Sequence, residues 1–222
     1  MNTNYDDFEH PEVTVDLVIF TVNEEKLKAL LIKRAEMPYA NIWSIPGGFL
    51  KKDESLDNAA IRVMKEKTGV KEVYLEQLYT FGRPERDPRM RVITVTYFAL
   101  IPWTSLIPPE SSKVTDLAWL AVDELPELAF DHREILEYAT QRLRTKASYS
   151  NIVYGLLPAH FRLSDLQNIY EIIIARDLDK RNFRKRMLAT GLLQETGRKE
   201  ITGAHRPAML YKFKKREFVL LD

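Results

Sequence analysis

Short apolar runs of strand length dominate the first hundred residues. Residues 13–20 are rich in β-branched side chains and residues 27–32 are strongly apolar, while the polar residues 23–26 between them predict a hairpin turn. Residues 73–81 and 92–100 have the same apolar character. The pattern therefore predicts two pairs of strands in the first half of the chain.

One segment between these strand pairs has helical spacing instead. Leucine, alanine, valine and methionine recur along one face from residue 56 to residue 64, which predicts an amphipathic helix. Asp53 or Ser55 can cap its start, and Gly69 follows its last turn as a C-terminal stop. Farther along, residues 114–122 predict another strand, and a helix is predicted from residue 131 to 146 with Asp131 at its N-cap.

From about residue 148 the pattern changes to two short helices. The first is predicted to begin at Leu163, with Ser164 as its cap and an apolar face made by Leu166, Ile169, Tyr170, Ile173 and Ile174. Residues 177–179 form a short turn. The second helix covers residues 180–188, and its inward side chains are predicted to be Phe183, Met187 and Leu188.

A hairpin with a long polar tip follows these two helices. Residues 192–195 and 209–213 predict strands, and residues 196–208 predict the loop between them. Helix, short turn, helix and hairpin occur in this order in winged helix-turn-helix domains. We therefore predict a winged helix over the last third of the chain.

Composition limits the class of protein. The chain has 222 residues, of which 45% are hydrophobic, enough for one large or two small domains. It has no cysteine, so disulfides and cysteine zinc sites are excluded and a cytoplasmic location is expected. No apolar window reaches membrane-spanning length, so no membrane association is expected, and the polar, acidic start argues against a signal peptide.

Charge is distributed unevenly along the chain. Residues 1–149 contain 19 Lys and Arg against 24 Asp and Glu, whereas residues 150–222 contain 14 against 8. A basic segment behind an acidic one suggests two domains with different partners, although an uneven solvated surface is an alternative. We place the domains at residues 1–148 and 149–222.

The helix over residues 56–64 lies within a recognisable motif. The sequence from 45 to 70 resembles the Nudix box, G-x5-E-x7-R-E-φ-x-E-E-x-G-φ, where φ is apolar, and it matches at Gly48, Glu54, Arg62, Met64, Glu66, Gly69 and Val70. This resemblance implies a Nudix α/β/α sandwich domain followed by the winged helix, an α+β fold.

Two mismatches in the motif bear on catalysis. The family pattern has glutamates where this chain has Val63 and Lys67. Residues three or four apart share a helix face, and in Nudix hydrolases the carboxylates on that face hold divalent metals. We therefore predict no catalytic residues, no metal site and no required cofactor. A residual Mg²⁺ ion at Glu54 and Glu66 is the alternative.

The loop over residues 82–91 is similar to the RDPR stretch of Nudix proteins that handle ADP-ribose. Its four arginines suit phosphate recognition, although a solvated hairpin tip is the alternative. Trp43 is predicted to stack on a base or sugar, with core packing equally compatible. The predicted effector-binding residues are Arg34, Trp43, Gly47, Gly48, Arg62, Glu66, Arg83, Arg86, Asp87, Arg91 and His132.

The order of motifs along the whole chain resembles one family. The chain resembles the NrtR-type regulators, which are Nudix-related repressors, many of them of NAD metabolism. The resemblance is carried by five motifs in this order: a Nudix box, LAFDHREIL, LSDLQNIYE, DKRNFRKR and HRPAMLYKF. Family members are homodimers, so two-fold symmetry would match a palindromic operator. The predicted DNA-binding residues are Lys180, Arg181, Asn182, Arg184, Lys185, Arg198, His205 and Arg206; the family usually has glycine where His205 stands.

The resemblance implies a ligand-responsive repressor that binds a double-stranded DNA operator. ADP-ribose or a related phosphoribosyl nucleotide is the expected effector, with a pentose sugar such as arabinose as an alternative. A nucleoside-diphosphate hydrolase that uses Glu54 and Glu66 is a second hypothesis. A third is a module whose basic segment binds RNA or protein.

Overall fold

The computed structural model describes residues 9–69, 74–105, 117–200 and 207–221. The chain folds into two compact units. The first contains the chain up to residue 139 without residues 20–28 and 100–106, and the second contains those two segments together with the chain from residue 140. The domain division at 148 and 149 stays a prediction.

The larger sheet is built from the predicted strand pairs. Its strands are β1 (Glu12–Asn23), β2 (Lys26–Lys33), β3 (Trp43–Ser44), β4 (Gly47–Phe49), β5 (Tyr74–Phe81), β6 (Val92–Leu100) and β7 (Leu117–Ala121). The order is β3, β2, β1, β6, β5, with β4 paired to β1 and β7 paired to β2. Glu24 and Glu25, with φ of 52° and 56°, make the predicted hairpin turn between β1 and β2.

Two helices accompany this sheet. Helix α1 (Leu56–Thr68) begins after Ser55, one of the two caps considered, whose hydroxyl accepts the Asn58 amide. It ends at Gly69 with φ 70°, as predicted. Helix α2 (His132–Tyr149) is longer than predicted, and the Asp131 carbonyl accepts the amide of Ile135 at 3.1 Å. In the described ranges no helix has the length and apolarity needed to cross a membrane.

Gly47 and Gly48, a pair of glycines that is typical of a tight turn, lie instead in the extended strand β4. Strand β4 pairs with β1 so that Gly47 faces Asp16. A Cβ atom added at Gly47 would lie 2.1 Å from Asp16 Oδ1 and 3.1 Å from the Val15 carbonyl oxygen. The close approach that requires glycine is therefore made by a buried side chain of β1.

We expect Gly47→Ala to lower the free energy of unfolding by about 1–3 kcal/mol, because Asp16 is buried and cannot turn into solvent. Gly48→Ala is the matched control, since its Cβ atom would meet Val63 at an ordinary 3.6 Å. Its effect should stay below about 0.5 kcal/mol. Urea denaturation of the two variants measures both values, and equal losses would contradict this explanation.

The second unit has the elements of a winged helix. A 3₁₀ helix (Ile152–Leu156) precedes β8 (Phe161–Arg162), α3 (Leu163–Ile174), α4 (Lys180–Ala189), β9 (Leu193–Glu200) and β10 (Ala208–Phe213). The three strands form a sheet in the order β8, β10, β9. This arrangement confirms the predicted fold class, a Nudix-type α+β domain followed by a winged helix.

The start of α3 differs from the prediction. Ser164 is already inside the helix, and the N-cap is Arg162. The Asp165 carboxylate accepts the Arg162 amide at 2.8 Å and thereby closes the first turn. After α3, the Glu171 carboxylate accepts the amide of Leu178 at 2.8 Å, which fixes the turn between the two helices.

Helix α4 has the predicted apolar side with one exception. Asp179 caps it by accepting the Asn182 amide at 2.8 Å, and Phe183 and Met187 are buried. Leu188, predicted to pack inward, is 40% exposed. It follows Met187 by one residue, which rotates it by about 100° away from the apolar side.

The wing strand β9 is longer than predicted. It continues to Glu200 because Lys199 and Glu200 pair with Met209 and Ala208 of β10. Arg198, predicted to lie in the loop, is therefore a strand residue, and it is exposed. His205 and Arg206 lie outside the described residues.

Candidate functional site

The Nudix-box residues form a compact ion-pair network at the start of α1. Arg62 donates Nε and Nη2 to the two oxygens of Glu54 at 2.7 and 2.8 Å, and Nη2 also donates to the Phe49 carbonyl at 3.2 Å. Arg62 Nη1 lies 3.7 Å from Glu66. The hydrogen bonds from Arg62 lower the pKa of Glu54 to about 2. Glu54 is therefore ionised and already neutralised by Arg62.

The donor set on α1 does not fit a divalent metal. Val63 is buried, Lys67 is half-buried, and both oxygens of Glu54 are occupied by Arg62. The parts of the chain that the structure describes hold no cluster of three His, Cys, Asp or Glu residues suited to a metal ion. Divalent cations in Nudix chemistry need several carboxylates at one point, and Glu66 alone cannot supply them.

Arg86, predicted to contact an effector phosphate, is engaged inside the first unit. It donates Nε and Nη2 to the Asp131 carboxylate at 2.9 and 2.8 Å, and Nη2 also reaches Asp16 at 3.3 Å. Its side chain is only 4% exposed. The arrangement makes Arg86 the counter-ion of the buried Asp16 and of Asp131, whose side chain is 11% exposed.

His132 completes this buried network. Its Nδ1 accepts the Ile45 amide at 3.2 Å, so the remaining ring proton belongs on Nε2, which lies 4.0 Å from Asp16 Oδ2. Burial lowers the pKa of His132 to about 3. The imidazole is therefore neutral and fixes the strand segment that leads into Gly47.

This pKa predicts an acid-sensitive fold. Between pH 6.5 and about 3 the unfolded His132 binds a proton that the folded one does not, so the contribution of His132 to the free energy of unfolding falls by about 1 kcal/mol per pH unit on acidification. Burial raises the pKa of Asp16, which acts in the opposite direction in the upper part of the acidic range. His132→Asn keeps an acceptor for Ile45 without titrating, and its unfolding free energy should depend less steeply on pH. Parallel slopes for the two proteins in urea denaturation would contradict this assignment.

A cluster of two arginines and two aromatic rings lies on the same unit. We define the Arg34–Arg89 cluster as Arg34, Tyr39, Arg89 and Phe130. The guanidinium carbons of Arg34 and Arg89 lie 4.7 and 5.8 Å from the Phe130 ring centroid, and Tyr39 packs edge-on against that ring at 4.8 Å. Burial, and then the Arg89 charge, lower the pKa of Arg34. Two like charges converging on one ring favour an anion between them.

Neighbouring side-chain and main-chain groups hold the two arginines of this cluster in place. Asp87 accepts the Nε and Nη2 of Arg89 at 3.0 and 2.7 Å, and the Pro38 carbonyl accepts Arg34 Nε at 2.9 Å. Asp87, a predicted effector-binding residue, is buried, so it would affect a bound effector by positioning the Arg89 side chain. Tyr39, Arg89 and Phe130 were not among the predicted effector-binding residues, although Arg89 belongs to the arginine-rich loop and Phe130 to the LAFDHREIL motif.

The remaining predicted effector residues are more dispersed. The Trp43 carbonyl accepts the Ala129 amide at 2.8 Å, and Lys33 Nζ lies 5.8 Å from the Trp43 ring. Arg83 is paired with Glu134 at 2.8 Å and is largely exposed. Arg91 donates to the Gly82 carbonyl at 2.8 Å. The structure does not bring these three side chains into the Arg34–Arg89 cluster.

The predicted recognition helix carries an exposed polar surface. All five predicted residues of α4 are exposed; these are Lys180, Arg181, Asn182, Arg184 and Lys185. Arg181 and Lys185 are four residues apart and share the face opposite Phe183 and Met187. Beside the helix, the Tyr211 hydroxyl donates to Glu195 at 3.0 Å. Exposed basic residues on the second helix of a helix-turn-helix fit DNA binding.

The fold and these sites define a Nudix domain joined to a DNA-binding winged helix. Residues 10–139 match the family model of the NUDIX domain, and residues 153–213 match the model of the NrtR DNA-binding winged helix domain. The chain belongs to the NrtR family of Nudix-related transcriptional regulators.

Two relatives match nearly the whole chain. The ADPR responsive transcriptional repressor NtrR of Acinetobacter baylyi is 39% identical over 216 residues, 96% of this chain and 86% of the relative. The crystal structure of Shewanella oneidensis NrtR complexed with a 27mer DNA is 38% identical, with a TM-score of 0.83 over 91% of this chain and 93% of that chain.

A third comparison concerns the first domain alone. The NUDIX domain of Shewanella oneidensis NrtR, in a cocrystal structure with ADP ribose, is 38% identical to this chain. Its TM-score is 0.55, over 64% of this chain and 94% of that domain. The likeness supplies a ligand-bound relative for the unit that carries the Arg34–Arg89 cluster.

Proposed function

We propose that this protein is a transcriptional repressor that binds operator DNA through its winged helix and responds to ADP-ribose through its Nudix domain. The observation that carries the proposal is one chain with an exposed basic recognition helix in one unit and a cationic, aromatic cluster in the other. The repressor from Acinetobacter baylyi supports the regulatory role.

ADP-ribose fits the chemistry of the Arg34–Arg89 cluster. Guanidinium groups bind phosphate oxygens through paired, charge-assisted hydrogen bonds, so a diphosphate would lie between Arg34 and Arg89. An adenine or ribose ring would contact Tyr39, which is 39% exposed. An uncharged pentose would supply no anionic group for either arginine. The Shewanella oneidensis NUDIX domain bound to ADP ribose supports this choice.

The Nudix domain serves binding and not hydrolysis in this proposal. Val63 and Lys67 support it, because they stand where the Nudix pattern places metal-binding glutamates. Incubation of ADP-ribose with Mg²⁺ or Mn²⁺ should yield negligible product. Turnover at an ordinary enzymatic rate of about 1 s⁻¹ would favour the hydrolase hypothesis.

The DNA side of the proposal includes a homodimer in the cytoplasm. Two copies related by two-fold symmetry would present two α4 helices to a palindromic operator. Arg198, which is exposed on β9, would contact DNA phosphates. Arg206 is proposed for the same role and His205 as a further DNA-binding residue; both lie outside the described residues. A mobility-shift assay on the DNA upstream of the chain's own gene, with and without ADP-ribose, tests the response. No change in DNA binding at saturating ADP-ribose would contradict it.

The cluster makes a separate quantitative prediction. Arg89→Met should weaken ADP-ribose binding about ten- to a hundredfold, because a charged hydrogen bond is lost while the apolar contact with Phe130 is kept. Arg83→Met is the matched control, since it removes an arginine of the same loop that pairs with Glu134. Calorimetry should find its affinity unchanged. If the protein binds arabinose tightly and does not bind ADP-ribose, the effector is a sugar and not a nucleotide.

A further inference from the structure

The winged-helix unit contains a cavity that the proposed function does not use. It has a volume of about 780 Å³ and lies between the second half of α2, helix α3 and the flank of α4. This volume is within the range of small-molecule sites. Every residue that lines the cavity belongs to the second unit, between Gln141 and Leu221.

The inner wall of the cavity is mostly apolar and well packed. Phe183 and Met187 of α4 and Tyr170 of α3 line it, and all three are buried. The rings of Tyr170 and Phe183 pack edge to face with centroids 5.5 Å apart. The Tyr170 hydroxyl donates to the Ser150 carbonyl at 2.9 Å, so its polar end is already satisfied. This wall offers a surface for the apolar body of a ligand.

The rim of the cavity is cationic. Arg144, Arg176 and Arg186 line it, against Asp179 as the single acidic lining residue. Asp179 accepts the Asn182 amide, and Arg144 donates Nε to the Ile173 carbonyl at 3.2 Å. Across the described residues, the side chains of Arg176 and Arg186 donate no hydrogen bond and join no ion pair. These two guanidinium groups therefore retain their donors for an anion.

We propose that this cavity is a second effector site, which binds a small organic phosphate of mononucleotide size. The phosphate would lie between Arg176 and Arg186, and the ligand's ring would contact Phe183 and Met187. The site is separate from the Arg34–Arg89 cluster, because its lining residues belong to the other unit. Its ligand would touch the flank of α4, where Asn182 also lines the cavity, and so act on the helix that contacts DNA.

A single introduced thiol can report occupancy locally, because the chain has no cysteine. Ser148→Cys places a thiol at an exposed lining position. Ser164→Cys is the control, exposed on α3 and outside the cavity. The measurement is the rate of alkylation of each full-length variant by uncharged iodoacetamide, with adenosine 5′-monophosphate as the probe.

At a probe concentration about ten times Kd, alkylation of Ser148→Cys should slow about tenfold, because only the unliganded fraction reacts. Ser164→Cys should react at an unchanged rate. Adding Arg176→Met and Arg186→Met to Ser148→Cys should weaken the protection at least tenfold, since two charged contacts are lost. Arg176→Lys with Arg186→Lys should restore part of it, which separates charge from folding.

Three outcomes would overturn the proposal. The first is no protection of Ser148→Cys by millimolar adenosine 5′-monophosphate. The second is protection that is not specific to the site, whether it persists undiminished in the double methionine variant or protects Ser164→Cys equally. The third is protection by duplex DNA but not by the mononucleotide, because the arginines would then receive a DNA phosphate and not a small effector.

Discussion

Replacing Arg86 by alanine should lower the free energy of unfolding by about 3–5 kcal/mol, the largest stability effect expected in this protein. The side chain of Arg86 is 4% exposed and neutralises Asp131 and Asp16 together. Without it, the buried Asp16 and the largely buried Asp131 would have no cation beside them. Truncating one partner of a buried charge network costs far more than breaking an exposed pair, because the remaining charges are neither solvated nor paired.

Arg83 provides the matched control for this experiment. It belongs to the same loop and also forms a 2.8 Å ion pair, with Glu134, but its side chain is 63% exposed. Arg83→Ala should cost no more than about 1 kcal/mol. Urea denaturation of both variants at neutral pH gives the comparison. A loss below about 1 kcal/mol for Arg86→Ala would show that Asp16 and Asp131 do not depend on this guanidinium.

Replacing Arg181 and Lys185 together by alanine should reduce affinity for operator DNA about a hundredfold or more. Both side chains are exposed and lie on the face of α4 opposite its buried residues. Contacts between cations and phosphates also release counterions, so the dependence of affinity on salt should become shallower by about one for each lost contact. Mobility-shift assays at several salt concentrations measure both quantities.

A charge-matched control separates a local contact from a change in overall charge. Lys51→Ala with Lys52→Ala also removes two exposed positive charges, but from the loop before α1. This variant should bind DNA with nearly the affinity and salt dependence of the unaltered protein. If the two double variants behave alike, α4 does not contact the DNA and the winged helix binds in another orientation.

Local sequence was sufficient to predict those features of a helix that depend only on residues within that helix or next to it. Gly69 ends α1 as predicted, and Ser55, one of the two predicted caps, begins it, because caps act within a single turn of helix. Phe183 and Met187 were correctly assigned to the inner side of α4, because helical spacing fixes which residues share a face. The predictions were wrong near the ends of two elements. Leu188 was predicted to pack inward but is exposed, because it lies one residue beyond the apolar side of α4. Strand β9 continues through Arg198, because its pairing with β10 extends farther than predicted.

Local sequence could not predict the separate roles of the arginines in the loop between β5 and β6. Arg86 and Arg89 are three residues apart and chemically identical, and both were considered for phosphate binding. Arg86 is buried against Asp16 and Asp131, which are 70 and 45 residues away along the chain. Arg89 instead reaches Phe130 beside Arg34. Only folding brings these partners together, so no spacing rule could separate the two roles.

The sequence by itself thus determined the order of elements, the Nudix box with its two altered positions, and the basic surface of the last helix. Each of these depends on residues within a few turns or one strand of each other. Tertiary structure decided that Gly47 accommodates Asp16, that His132 is a buried neutral acceptor, and that Arg34 and Arg89 share one aromatic ring. The physical reason is that burial and charge pairing depend on neighbours in space, which the chain supplies from distant positions.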